Sequence, residues 1–293
     1  MELPTVDRCV QQLVEQLDNE RSLIEPTQLR QRLEALDRLD AFFPDTSEPV
    51  VETGLYRRAK AIGARLEAVN CELYEAIRCE IRRGCRPDAL LQWVNSSPEI
   101  EEGVGPSSGM GYDFMDELIS GVFQFEEPND RHIHREPDMV FYQPTPARHI
   151  FRMIGLTALT ATDVFVDLGS GLGHVALLVS ICTGGCSIGI ELEASYVERA
   201  QQCAQRLNLD RVAFVHQDAR VADLSDGTVF YLYTPFTGSI LSRVLNLLRG
   251  QAATRRIRIC TYGPCTSVIA EERWLEAIAA PETDRIAVFC SRE

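Results

Sequence analysis

The sequence predicts an α/β fold in its C-terminal half, preceded by an α-helical N-terminal region. Three observations carry this reading. From residue 164 onward, short apolar runs alternate with helical patterns, and that alternation builds a largely parallel sheet with helices on both faces. Before residue 95, apolar residues recur at helical spacing instead. Directly after the first apolar run comes a glycine-rich turn, Gly169-Ser170-Gly171-Leu172-Gly173, of the kind that joins a strand to a helix.

The elements follow in order. Val6, Val10, Leu13, Val14 and Leu17 share one helix face, and Pro26-Thr27 restart a second pattern at Leu29, Leu33, Leu36 and Leu39. Residues 43–49 carry turn residues and read as a loop. A long helix is expected over 53–83, with Leu55, Ile62, Leu66, Val69, Leu73 and Ile77 on one face, ended by Gly84 and Pro87. A short helix over 88–94 follows. Arg78, Arg82, Arg83 and Arg86 read as a solvated helix surface and its end, favourable to the helix dipole. Residues 95–112 are rich in Ser, Pro, Gly and Glu and read as a linker or loop. A short helix at 113–124 and a polar loop at 126–138 complete this stretch. Helix 146–155 then leads to strand 164–167, helix 175–182, strand 187–191, helix 194–207, strand 212–215, strand 229–233, helix 239–249, strand 256–261, helix 267–279 and strand 286–290. The implied domains are residues 1–94, helical; 95–140, linker and lid-like loops; and 141–293, the α/β domain.

Composition sets limits. With 293 residues, 45% of them hydrophobic, the chain can bury a sizeable core in about two domains. No apolar run reaches the roughly 18 residues of a membrane-spanning helix, and the first residues lack the pattern of a signal peptide, so a cytoplasmic protein is expected. The ten cysteines form no Cys-x-x-Cys pair. They are expected to be reduced thiols, with no metal site. His132 and His134, with Glu136 and Asp138, read as a solvated loop. The net charge is −14, and it is concentrated: residues 1–150 hold 28 acidic and 16 basic residues, residues 151–293 hold 15 and 13. An acidic surface repels phosphate backbones, which disfavours nucleic acid as a partner. Oligomeric state is not legible.

The glycine turn narrows the chemistry. Glycines let a backbone turn sharply and approach a ligand, and the helix behind them offers free N–H groups. A dinucleotide fingerprint would be Gly-x-Gly-x-x-Gly, but His174 stands at its third glycine. The strand also ends in Asp167, which would repel a pyrophosphate and suits a cationic ligand. The pattern Asp167-x-Gly169-x-Gly171-x-Gly173 resembles the first motif of the class I S-adenosylmethionine methyltransferases, whose Rossmann-like sheet is then expected here. Glu191 ends the second strand, where a carboxylate can accept both ribose hydroxyls. Asp218 follows the third, where that family uses an acid to read the adenine amino group. Gly169, Ser170, Gly171 and Gly173 of the turn, with Leu192 and Ala219 beside the two later acids, complete the expected cofactor set.

A closer resemblance is carried by Phe165-Val-Asp-Leu-Gly-Ser-Gly-Leu-Gly-His174, Gly189-Ile-Glu-Leu-Glu193, Tyr196-Val-Glu-Arg-Ala200, Phe230-Tyr-Leu-Tyr-Thr-Pro-Phe236 and the upstream Phe141-Tyr-Gln-Pro-Thr-Pro146. These are similar to the non-SET histone lysine methyltransferases named for disruption of telomeric silencing, over about residues 140–266. The resemblance implies that Tyr142 and Thr145 contact the amino-acid end of the cofactor and that His174 replaces a glutamine that does so. It departs after the fourth strand: the family's asparagine pair is replaced by Leu232-Tyr233, and the Asn/Asp-Pro-Pro-Tyr signature of amide and base methylation is also missing.

The implied activity is methyl transfer to a nitrogen or oxygen nucleophile of a protein or small molecule. Such transfer needs alignment and exclusion of water more than a strong base. Tyr233, Thr234 and Phe236 are the candidate residues at the reacting centre, with Tyr262 as a further channel wall. Two other readings stay open from sequence: a non-catalytic interaction module on the same fold, and an NAD-dependent enzyme.

Overall fold

The computed structural model describes residues 5–43, 54–84, 87–95, 111–125 and 136–292. The chain divides into two compact units, Met1–Ile77 and Arg78–Glu293. The loop read at 43–49 lies almost entirely outside the described residues, as do most of the linker at 95–112 and of the loop at 126–138. His132, His134 and Arg86 also lie outside them.

The first unit is helical. Helices α1 (Thr5–Asn19) and α2 (Leu29–Phe42), with two 3-10 turns between them, pack with the N-terminal part of α3 (Gly54–Arg82). The apolar stripes read from sequence meet in one core that includes Leu13, Val14, Leu17, Leu39, Ile62 and Leu66. Within it lies a fully buried cation. Arg32 donates Nε to Asn70 Oδ1 at 2.6 Å and Nη1 to Leu23 O at 3.1 Å. It also reaches the carbonyls of Glu25 and Pro26. Its fork satisfies the carbonyls freed by the 3-10 turns, so a charge at an otherwise apolar helix face is tolerated.

The second unit holds the sheet. Seven strands lie in the order β3-β2-β1-β4-β5-β7-β6. They are β1 (Val164–Leu168), β2 (Cys186–Glu191), β3 (Val212–His216), β4 (Val229–Tyr233), β5 (Arg258–Tyr262), β6 (Leu275–Ala277) and β7 (Ala287–Ser291). Strands β1 to β5 are mutually parallel and β7 runs antiparallel to both neighbours. Central parallel strands covered on both faces need continuous apolar sequence, which β1 and β4 supply. Helices α7 (His174–Thr183) and α8 (Ala194–Arg206) cover the β1–β3 half, and α9 (Gly238–Ala252) and α10 (Cys265–Ala270) follow β4 and β5. Strand β1 has β2 on one side and β4 on the other. The chain therefore changes direction at β1, and the loops after β1 and β4 part there, opening the crevice in which such sheets bind ligands.

Two features differ from what the sequence predicts. The single helix expected at 267–279 is instead α10, ending at Ala270, and the edge strand β6. Leu, Glu and Ala favour a helix locally, but antiparallel pairing with β7, Leu275 opposite Ser291, satisfies the backbone and buries Leu275. Arg78 is not on a solvated surface: it is buried and donates Nη1 to Gly121 O at 2.6 Å. It thereby anchors the last turns of helix α5 (Phe114–Phe123), which comes after the short helix α4 (Asp88–Asn95) in the chain.

Helix α5 in turn fixes the segment that enters the sheet. Asp113 and Asp116 form a reciprocal capping box at its start. Asp116 Oδ1 also accepts the Ala147 amide at 2.8 Å, and Asp113 Oδ2 pairs with Arg148 at 3.1 Å. These bonds hold the start of helix α6 (Ala147–Thr157), and so the end of residues 136–146 that precede it. No helix among the described residues is long and apolar enough to cross a membrane.

Candidate functional site

A cavity of about 450 Å³ opens at the carboxyl ends of β1, β2 and β4. Its floor is the glycine turn. Gly169 and Gly171 both have positive φ, +83° and +51°, which L-residues adopt only with strain. Neither has room for a side chain: a Cβ on Gly169 would meet Pro235 at 2.3 Å, and one on Gly171 would meet the Tyr142 ring at 2.0 Å. The turn is thus held between the β4 loop and residue 142. Gly173 caps α7 and packs on Phe214.

Asp167 is buried at the end of β1, and its Oδ2 has no hydrogen-bond partner among the described residues. Burial, with the nearby charge of Glu191, pushes its pKa up to about 8. Ser170 Oγ beside it is likewise buried and without a partner. A buried carboxylate left this way is costly unless a donor or cation completes it.

Glu191 has a different environment. Its Oε2 accepts the Gly171 amide at 2.7 Å, and its Oε1 accepts those of Leu192 and Glu193 at 2.7 and 2.9 Å. Burial raises its pKa and the three N–H groups oppose that. Three of about four acceptor positions are engaged, leaving room for a further donor from the cavity. Asp218, after β3, accepts the Arg220 amide at 2.8 Å and its guanidinium at 2.6 to 3.0 Å. The Arg220 bond lowers its pKa.

Residues 139–145 form the opposite wall. Met139 bridges to Phe236, the Val140 amide donates to Pro235 O at 3.2 Å, and the Asp138 carboxylate accepts the Ser239 amide and hydroxyl at 2.9 and 2.7 Å. The Tyr142 hydroxyl lies 3.2 Å from His174 Nδ1, and its ring packs on Tyr196 with centroids 5.0 Å apart. Burial lowers the His174 pKa to about 4, so the imidazole is neutral at pH 7. Thr145 Oγ1 lies 2.9 Å from the hydroxyl of Tyr231, buried on β4.

The cavity therefore gathers Tyr142, Thr145, Asp167, Gly169, Ser170, His174, Glu191, Leu192, Asp218 and Ala219 of the cofactor set, and Tyr233, Thr234 and Phe236 of the candidate reacting centre. Gly171 and Gly173 shape it from behind. Thr234 has φ +39° and turns its hydroxyl inward, donating to Tyr262 O at 3.1 Å and accepting the Cys265 amide at 3.0 Å. Tyr262 is not on the cavity wall; it is fully buried under Tyr233, ring centroids 4.7 Å apart. Tyr231, Tyr196 and Arg220 are lining or supporting residues that the sequence reading did not single out. The alternation on β4 gave a signal for one of them: Tyr231 and Tyr233 stand on the same face. Among the described residues no three His, Cys, Asp or Glu side chains converge as a metal would need.

The acid-tipped glycine turn, at the switch point of the sheet, resembles that of the class I S-adenosylmethionine-dependent methyltransferases. Residues 139–222 match the family model described as histone methylation protein DOT1. The chain is similar to the 27-O-demethylrifamycin SV methyltransferase of Amycolatopsis mediterranei (strain S699), 29% identical over 112 residues. That match covers 38% of this chain, which spans 40% of the length of that curated relative. Among solved structures it is similar to an RNA methyltransferase from Salinibacter ruber in complex with S-adenosyl-L-homocysteine, at 25% identity, over 51% of this chain and 92% of that one, with a TM-score of 0.41. It is also similar to a SAM-dependent methyltransferase from Geobacter sulfurreducens in complex with S-adenosyl-L-homocysteine, at 22% identity, over 39% and 47% of the two chains, with a TM-score of 0.33.

Proposed function

We propose that the chain is an S-adenosylmethionine-dependent methyltransferase acting on a nitrogen or oxygen nucleophile of a protein or small molecule. The observation that carries this is Asp167: a buried carboxylate with an unpartnered oxygen, under a glycine turn, at the switch point of the sheet. A dinucleotide would bring a pyrophosphate to that oxygen; an amino acid brings an ammonium. When bound, S-adenosylmethionine supplies a methyl carbon already activated by its sulfonium.

The chain's residues would then act as follows. Asp167, with Thr145 and Ser170, holds the ammonium end. Tyr142 and His174 cover that end, and His174, being neutral, adds no repelling charge. Glu191 keeps the glycine turn closed through Gly171 and offers its remaining acceptor to the ribose. Asp218 and Ala219 flank the base. Tyr233 and Phe236 form the wall toward the acceptor and exclude water, while Thr234, with its hydroxyl committed inward, positions the turn. No general base is required if the nucleophile arrives neutral.

The division of labour belongs to the same proposal: residues 1–94 as a helical region that recognises the substrate or covers the site, 95–140 as a linker and lid-like loops, and 141–293 as the methyltransferase domain. So does a cytoplasmic setting, supported by the described cysteines all being free thiols. The acidic charge supports a protein or small molecule over nucleic acid as acceptor. Calorimetric titration tests the cofactor reading. S-adenosylhomocysteine is expected to bind and NADH is not; the reverse, or no binding of either by folded protein, overturns it. Labelled cofactor incubated with fractionated lysate would then identify the acceptor class.

A further inference from the structure

The structure assigns to Arg220 a role in holding the cofactor site closed: it ties Asp218, at the base-binding end of the cavity, to Glu136 on the segment that forms the opposite wall. The inference rests on the cofactor reading above and adds a positioning residue to it.

One guanidinium serves two carboxylates. Nε and Nη2 face Asp218, at 3.0 and 2.9 Å from its two oxygens and 2.6 Å from Oδ2 respectively. Nη1 and Nη2 face Glu136, at 2.9 and 2.7 Å, a two-bonded fork. Only arginine presents donors along two edges in this way; a lysine ammonium at the same place reaches one partner or the other. Arg220 is a quarter exposed and Glu136 half exposed, so the link is partly shielded yet open to salt.

Its position gives it leverage. Glu136 stands three residues before Met139, where the cavity wall begins. From Asp138 to Val140 the segment is bonded to the loop after β4 and the start of α9. Glu136–Arg220 is its bond to the loop after β3. The segment is therefore fastened on both sides of the crevice, and a ligand lying between them is held longer while both fastenings stay closed. Arg220 also occupies the Asp218 oxygens fully, so an adenine amino group that reads Asp218 must share them. The Glu136 fork holds the guanidinium in place while that sharing occurs.

Surface plasmon resonance on the immobilised full chain, with S-adenosylhomocysteine as analyte, tests the coupling. Glu136→Gln and Arg220→Lys are expected to release the ligand about 5- to 20-fold faster than wild type, a range equivalent to about 1–2 kcal/mol. Wild-type release should speed up between about 50 and about 500 mM salt, and that dependence should vanish in Glu136→Gln, a change that simple loosening of the fold does not produce. Glu282→Gln, which removes a surface acid elsewhere, should release at the wild-type rate. A wild-type chain that binds while Glu136→Gln releases equally slowly overturns the coupling alone. A wild-type chain that binds nothing overturns the cofactor reading, and the coupling with it.

Discussion

The Glu191 carboxylate accepts the amide of Gly171 at 2.7 Å, joining the end of β2 to the turn after β1. One side chain thus closes the glycine turn and faces the cavity beside it. Glu191→Ala removes both functions and should weaken S-adenosylhomocysteine binding by about 1–3 kcal/mol, the usual cost of a lost charged hydrogen bond. Glu191→Gln keeps one acceptor oxygen and should lose less. Calorimetry on the two variants checks the order; equal affinity in both and in wild type would place the ribose elsewhere.

Asp167 gives a pH prediction with a definite sign. Its folded pKa of about 8 lies above an unfolded value near 4. A raised folded pKa contributes stability that is complete below the unfolded value and is lost as pH rises through the folded one. Asp167→Asn is neutral throughout and has no such loss. The stability advantage of the variant should open between about pH 4 and about pH 8 and stay constant above. Denaturant melts across that range measure it, and a gap that does not widen with pH contradicts the burial argument. A cationic ligand should also draw the proton off Asp167, so titrations below pH 8 in buffers of different ionisation enthalpy should show proton release.

Gly171 tests how tightly the opposite wall is seated. In Gly171→Ala the new methyl group meets the Tyr142 ring and the residue keeps φ +51°, so the variant carries a clash as well as the backbone strain of about 1–2 kcal/mol. Hydrogen exchange over residues 139–145 should rise sharply. Adding Tyr142→Ala removes the clash alone, so in that background the stability cost of the alanine should fall to the backbone part. A cost unchanged by Tyr142→Ala would mean that the two do not touch.

Arg32 makes a prediction for the helical unit. Arg32→Met leaves the Asn70 side chain and the carbonyls of Leu23, Glu25 and Pro26 without their donor. The loss should be on the order of 3 kcal/mol, and Arg32→Lys should recover only part of it because an ammonium cannot span all four acceptors. Thermal and urea melts of the two variants are the check, and wild-type stability in Arg32→Met would refute the staple.

Much of this was legible in the residues, for identifiable reasons. The α/β order could be read because buried parallel strands are continuous apolar runs and amphipathic helices repeat every three to four residues. That Asp167, Glu191 and Asp218 meet at one cavity could be read because each ends or soon follows a strand, at the carboxyl edge of the sheet. The helix expected at 267–279 failed because its composition is helical and its partner, β7, lies more than ten residues further on. Arg78 and Arg220 escaped for a related reason. An arginine on a helix face looks solvated until the carbonyl or carboxylate it reaches, dozens of residues away, is known. Thr234 was legible as a position at the cavity, but not the direction of its hydroxyl, which is set by Tyr262 and Cys265 on the next strand and helix.

The most direct test of the central claim is a crystal structure of the chain with S-adenosylhomocysteine. Density is expected in the β1–β4 crevice, with the ligand's ammonium within hydrogen-bond reach of Asp167 Oδ2 and one ribose hydroxyl on the remaining acceptor of Glu191. Ligand density away from the glycine turn, or a ligand whose ammonium avoids Asp167, would contradict it.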